Sequence, residues 1–291
     1  MEDNTSPLLL RRRLRTELLA ARLDRDLTQQ QVAKAMDWSL SKMNRIEKAK
    51  SSISVNDVKV LLPFYGITDE EHTDELVDLA RAARRIPWWR RRYSEFASAE
   101  LLDLIDYESA ATAVSQFETM FVPGILQTEE YASAVLQAFY GEKSPQRKVD
   151  ALVELRTRRR DLLTSDNAPK FSFVLDESII HRQMGSPSIT SQQLEHLAST
   201  AKLPNVAIQV VPFTAGLHPG MKGPFEVAQF DDMPDEDIVF LEGQSGTFIN
   251  EDPDDTKGYL ISFQRIVQKS LTPSDSVARL LEIAGEMALR A

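Results

Sequence analysis

The chain has no cysteine. That excludes disulfides, a thiol nucleophile and a cysteine-based zinc site. Histidine is sparse and scattered: His72, His181, His196 and His218 show neither the spacing of a helical metal pair nor a His-Glu-x-x-His pattern. No apolar run approaches the length of a membrane span. Leu8–Leu10 is too short for the core of a signal peptide, and it is followed, not preceded, by Arg11–Arg13. There is no Gly-x-Ser-x-Gly elbow, no P-loop and no dinucleotide fingerprint. Asp176, Glu177 and His181 can share a helical face, but capping and surface roles suit the two acids better than metal ligation. These absences lead us to expect a cytoplasmic protein that is not an enzyme, with no metal, no cofactor and no membrane contact.

What is present is ordinary in composition and uneven in charge. With 291 residues the chain is long enough for two domains, and 42% hydrophobic and 27% charged residues are typical of a globular protein. The net charge of −10 argues at first against a nucleic-acid partner. Residues 1–65, however, hold 12 basic and 8 acidic residues, a net +4, and residues 66–291 hold 22 and 36, a net −14. A basic head on an acidic body fits a DNA reader carrying a second module; an asymmetry without function is the plain alternative.

Leu27–Lys50, LTQQQVAKAMDWSLSKMNRIEKAK, reads as two short helices and a turn. Thr28 is an N-cap with Gln31 three residues on, as in a capping box. Val32, Ala33 and Met36 form one buried face. Asp37-Trp38 makes the break, and Asp tolerates the left-handed conformation of a tight turn. Ser39 caps the second helix, whose Met43 and Ile46 point inward. Its other face carries Leu40, Ser41, Lys42, Asn44 and Arg45, side chains suited to base edges and phosphates in a major groove. Spacing alone also fits any helical hairpin.

The residue choices go further. Thr28-Gln29 at the opening and Arg45-Ile46-Glu47 at the close make the stretch resemble the helix-turn-helix of the phage-repressor-like (XRE, or Cro/C1-type) regulators. The resemblance implies that Gln29 bonds a DNA phosphate, that Leu40, Ser41 and Arg45 read bases, and that Glu47 pairs with Arg22. The candidate DNA-contacting set is Thr28, Gln29, Ser39, Leu40, Ser41, Lys42, Asn44, Arg45 and Lys50. Asp37 and Ala49 depart from the family, which usually has Gly there, so strain is expected at the turn and at the C-terminal cap.

Around this motif, residues 1–10 read as a loose tail and Arg11 to about Arg25 as a first helix, apolar through Leu14, Leu18, Ala21 and Leu23. Its opening arginines, Arg11, Arg12, Arg13 and Arg15, oppose the helix dipole, so they serve phosphate contact or a solvated basic face. Val55–Tyr65 and Glu70–Arg85 are further helices. The domain division expected is a helix-turn-helix domain over 1–85, a linker over 86–93 and a body over 94–291. Trp88 and Trp89, beside Arg90–Arg92, suit stacking on nucleic acid or, the favoured reading, pinning one domain against another.

In the body, helices are expected over Leu101–Phe117, Glu129–Phe139, Ser144–Leu163, Asp176–Met184, Thr190–Leu203, Pro253–Lys269 and Ser274–Leu289. Strands are expected over Lys170–Leu175 and Val206–Val211, with a hairpin of Phe225–Phe230 and Ile238–Glu242 across the acidic loop Asp231–Asp237. That loop reads as solvated, with nucleic-acid mimicry or docking of a basic partner as alternatives. Gly216–Gly223 reads as a mobile loop and not as a phosphate cradle. The fold class expected is mainly α, α+β: an all-helical head plus an α+β body with a small, mainly antiparallel sheet.

Val122–Ala132, VPGILQT-x-x-YA, together with Val174–Glu177, Gln193-Leu194, Pro204–Val206, Gln209–Pro212 and Glu242, resembles the large C-terminal domain that follows the helix-turn-helix in many actinobacterial antitoxin-like regulators. Arg160 departs, since Gln is more usual there. The resemblance implies an antitoxin-like transcriptional regulator, often encoded beside a small partner protein proposed as a toxin; we expect a homodimer on double-stranded operator DNA, since such readers usually bind two half-sites. The alternative expectation is a body that binds a small-molecule ligand near the Val122–Thr128 and Gly216–Gly223 loops.

Overall fold

The computed structural model describes residues 6–49, 51–141, 144–231, 236–243 and 246–291. The chain divides into two compact units between Arg91 and Arg92.

Among the described residues the first unit holds five helices before residue 85: α1 (Pro7–Asp24), α2 (Gln29–Ala35), α3 (Leu40–Glu47), α4 (Val55–Phe64) and α5 (Glu70–Ala82). Local chemistry sets most of their starts. Thr28, Ser39, Ser54 and Asp69 each accept a hydrogen bond from the backbone N–H three residues on, which satisfies a donor the helix itself leaves unpaired. One apolar cluster holds the helices together, with Leu14 and Leu18 of α1, Val32 of α2, Met43 and Ile46 of α3, and Val58, Leu61 and Leu62 of α4 at its centre.

Two expectations for this unit need correction. The helix starts at Pro7, not at Arg11, and Leu8 is buried; proline at the first helical position is preorganised for that start. Leu23 is exposed, because five residues past Leu18 it lies off the inward stripe. Inside the stretch read as a linker runs a short helix, α6 (Trp88–Tyr93), which crosses the division.

The second unit is built on a six-stranded mixed sheet of order β3-β2-β1-β4-β5-β6. The strands are β1 (Ala113–Glu118), β2 (Lys170–Asp176), β3 (Val206–Val211), β4 (Phe225–Gln229), β5 (Ile238–Gly243) and β6 (Gly246–Asn250). β1, β2 and β3 pair in parallel, and the other three neighbours are antiparallel. Parallel pairing needs long crossovers. The β1–β2 crossover carries α8 (Glu129–Tyr140) and α9 (Gln146–Arg159); the β2–β3 crossover carries α10 (Glu177–His181) and α11 (Pro187–Thr200). α7 (Ala99–Ala110) precedes the sheet, and α12 (Pro253–Val267) and α13 (Pro273–Ala288) close the chain. Phe263 and Ile266 of α12 pack on one sheet face, against Phe117, Phe225, Val227 and Val239.

The helix expected over Leu101–Phe117 is the main correction. It ends at Ala110, and Val114 and Phe117 belong to β1. β1 is central and five of its six residues are buried, so it lacks the polar–apolar alternation that marks a half-exposed strand. β6 is an addition to the expected strands; it is short and none of its residues is buried, so it lacks a clear apolar face. The loop expected at Asp231–Asp237 lies outside the described residues over 232–235.

Candidate nucleic-acid interface and the polar centre of the body

In the head, α3 is anchored on one side and bare on the other. Met43, Ile46 and Glu47 are buried, while Leu40, Ser41 and Arg45 are exposed. The anchor is ionic as well as apolar. The Arg22 guanidinium donates to both carboxylate oxygens of Glu47, at 2.5 and 3.1 Å, and also to the carbonyl of Leu27. Gln29 Nε2 donates to Glu47 Oε2 at 2.6 Å, and Arg15 Nε donates to the Glu47 carbonyl at 2.8 Å. One buried carboxylate thus ties α1, the start of α2 and the end of α3 together. The same environment holds the Tyr65 hydroxyl well above its usual range, through burial first and the nearby Glu47 charge second.

The other candidate side chains are placed as follows. Thr28 is used in the capping box, with its backbone N–H donating to Gln31 Oε1 at 2.8 Å. Ser39 caps α3. Arg45 donates to Ser41 Oγ at 2.9 Å on the exposed face. Lys42 is engaged internally: Nζ lies 3.0 Å from Asp57 Oδ2 and 4.0 Å from the centre of the Trp38 ring. Asn44 is half-buried. Lys50 lies outside the described residues. Asp37 and Ala49 both take positive φ, 55° and 51°, the left-handed conformation that Gly adopts at less cost. Of the opening arginines, Arg12 is buried, Arg15 reaches Glu47 and Arg13 reaches Glu75 at 3.5 Å. That basic run is therefore structural as well. Trp88 and Trp89 pack edge to face, with ring centres 5.7 Å apart.

The body contains a second polar constellation, on the sheet face opposite α12. Arg159 of α9 forms a buried bidentate pair with Glu108 of α7. Beside it the sheet presents Gln116 and Glu118 from β1, Glu226 from β4 and Glu242 from β5. Gln116 and Glu226 are register partners. Gln116 Nε2 donates to Glu118 Oε1 at 2.9 Å. Both carboxylate oxygens of Glu226 and the side-chain carbonyl of Gln116 are buried without a hydrogen-bond partner. Burial, with Glu242 adding like charge, pushes the Glu118 carboxyl up to about 8. Burial and Glu108 raise Glu226 as well. Burial, then the Arg159 charge, brings Arg156 down to about 10.

The VPGILQT stretch wraps this centre. Its Gly124–Leu126 is a 3₁₀ turn. A Cβ on Gly124 would come within 3.4 Å of the Arg159 guanidinium, so glycine lets the backbone lie against it. Gln127 donates to the Val122 carbonyl at 2.7 Å and accepts from Arg156 at 2.8 Å. Gln193 of α11 donates to the Leu126 carbonyl and accepts from the Thr128 N–H. The sequence motifs include Gln127, Gln193 and Glu242 but not Gln116, Glu118 or Glu226. The signal for those three is polar residues set inside the apolar runs AVSQFE and FEVAQF.

Elsewhere in the body, Gly216–Gly223 is partly pinned: it contains a 3₁₀ turn, and Gly220 is buried against Phe117. It borders a cavity of about 330 Å³, lined in part by Lys222, Asp254 and Tyr259. Glu177 accepts from the Phe213 N–H and from Arg279, while Asp176 caps α10. No helix among the described residues is long and apolar enough to cross a membrane.

Residues 11–76 match the model of a helix-turn-helix domain, and the head is accordingly that of a DNA-binding regulator. Residues 101–282 match the domain of unknown function DUF5753, and the chain belongs to that family. No curated protein and no solved structure matches the chain.

Proposed function

We propose that this protein is a sequence-specific transcriptional regulator whose α3 enters the major groove of double-stranded DNA. The observation that carries the reading is the two-sidedness of α3: one face is fixed by Met43, Ile46 and the Arg22–Glu47–Gln29 network, and the other offers Leu40, Ser41 and Arg45 to solvent. Arg45 is the strongest base reader of the set, because a guanidinium forks onto guanine. Gln29 spends one amide hydrogen on Glu47, which leaves its second for a phosphate oxygen. Lys42, held between Asp57 and Trp38, contributes least. Such readers commonly act as dimers on two half-sites one helical turn apart, and a homodimer is the assembly proposed here.

The body motifs Val122–Ala132 and Val174–Glu177 support an antitoxin-like role, in which the body binds a small protein encoded beside this one. The test is binding of the purified protein to its own upstream DNA, alone and with that neighbour, at two salt concentrations. Salt-sensitive, selective binding altered by the neighbour is expected; selective binding that the neighbour never changes removes the antitoxin role. A second reading, a body that senses a small molecule, is favoured by the unpartnered acceptors of its polar centre. Neither reading assigns catalysis to the chain.

A further inference from the structure

We propose that the polar centre of the body binds a small organic cation, through an ammonium or guanidinium group seated between Gln116 and Glu226. This rests on the ligand-sensing reading and gives it a ligand class.

Three observations converge. The unmet hydrogen-bonding atoms of the centre are all oxygens: both of Glu226 and the side-chain carbonyl of Gln116. Those residues are only 3% and 8% exposed, and buried polar atoms are rarely left without partners. Gln116 has already given its amide to Glu118. An ionised Glu226 beside the Gln116 carbonyl calls for a group that only donates, and ammonium and guanidinium groups do so. Charge points the same way. Arg159 makes its hydrogen bonds to Glu108 and shares its charge with Glu226 and Glu242, and Arg156 adds its charge beside Glu242, so Glu108, Glu118, Glu226 and Glu242 outnumber the two arginines. A further cation restores the balance and lets these carboxylates ionise in place. Finally, among the described residues no three acidic or imidazole side chains gather closely enough to hold a metal ion, so an organic cation fits better than a metal. The approach proposed is from the Glu242 end of β5, where that side chain is exposed.

The test is calorimetric titration of the full-length protein with a panel of small amines and guanidines headed by putrescine and agmatine. Butane-1,4-diol and succinate serve as neutral and anionic counterparts. Saturable binding of a cation but not of its counterparts is expected. Glu226→Gln should weaken it about tenfold or more, the usual consequence of losing a charge-assisted hydrogen bond. Gln116→Met, which removes the unpaired carbonyl without changing charge, should weaken it too, and the exposed Glu195→Gln should not. Circular dichroism checks that each variant is folded. Equal cation binding by all three variants means general attraction to an acidic surface and overturns the proposal. Binding of diol or succinate alone overturns the cation class but leaves ligand sensing standing. Failure of every compound, extended to amino acids and nucleotides, removes both.

Discussion

The head and the body each bury an arginine–glutamate pair, and the two pairs are finished differently. In the head, Glu47 receives Arg22 and Gln29 on its carboxylate and Arg15 on its carbonyl. In the body, Glu108 and Arg159 satisfy each other, but Glu226 and Gln116 next to them keep unpaired acceptors. Burying a charge is tolerable only when it is paired and hydrogen-bonded. The first arrangement is thus a structural lock that presents α3. The second carries an unmet demand, the kind of local inconsistency that natural proteins keep at functional positions.

Breaking the lock should have the largest effect. Glu47→Ala strands the buried Arg22 guanidinium and is expected to destabilise the head by about 3–5 kcal/mol, read from chemical denaturation. A loss under 1 kcal/mol, the scale of an exposed pair, would mean the pair is not the lock. The polar centre beside the body pair can be probed by pH. Glu118 is ordinarily protonated below 4.5 and here keeps its proton to about 8. Between those values the folded state binds more protons than the unfolded one, so stability is lost as pH rises through that window. Glu118→Gln should remove part of that slope and raise stability relative to wild type at pH near 8, where the wild-type carboxyl has to give up its proton against burial. An unchanged slope in melts across pH would place the titration elsewhere. Smaller effects return to the head. Thr28→Ala should cost about 1 kcal/mol through loss of the capping box. Ala49→Gly should stabilise by up to about 1 kcal/mol, since its backbone is already left-handed; a destabilised Ala49→Gly would show that no strain is stored there.

Legibility in the sequence follows the same division. The head is readable because its signals are local: caps three residues from their partners, apolar residues at helical spacing, and a turn marked by Asp37. The hairpin of β4 and β5 and the strand Val206–Val211 are readable for the same reason. β1 is not, because a strand buried on both faces has the apolar density of a helix, and its role is set by neighbours about 55 to 115 residues away, at Lys170–Leu175 and Phe225–Gln229. The polar centre shares that difficulty. Glu108, by spacing one point on a helical stripe, meets Arg159 only when α7 and α9 are brought together over the sheet. Glu226 looks like any strand glutamate until β4 is paired with β1.

The most direct test of the central claim compares wild type and Arg45→Ala in selection and titration against randomised and upstream DNA. Arg45 is exposed and bonded to Ser41, so the variant should melt like wild type. It should lose about 1–3 kcal/mol of specific affinity and relax the preference at one or two base positions, while salt-dependent non-specific binding persists. Unchanged affinity and an unchanged preferred sequence would contradict the assignment of α3 as the reading helix.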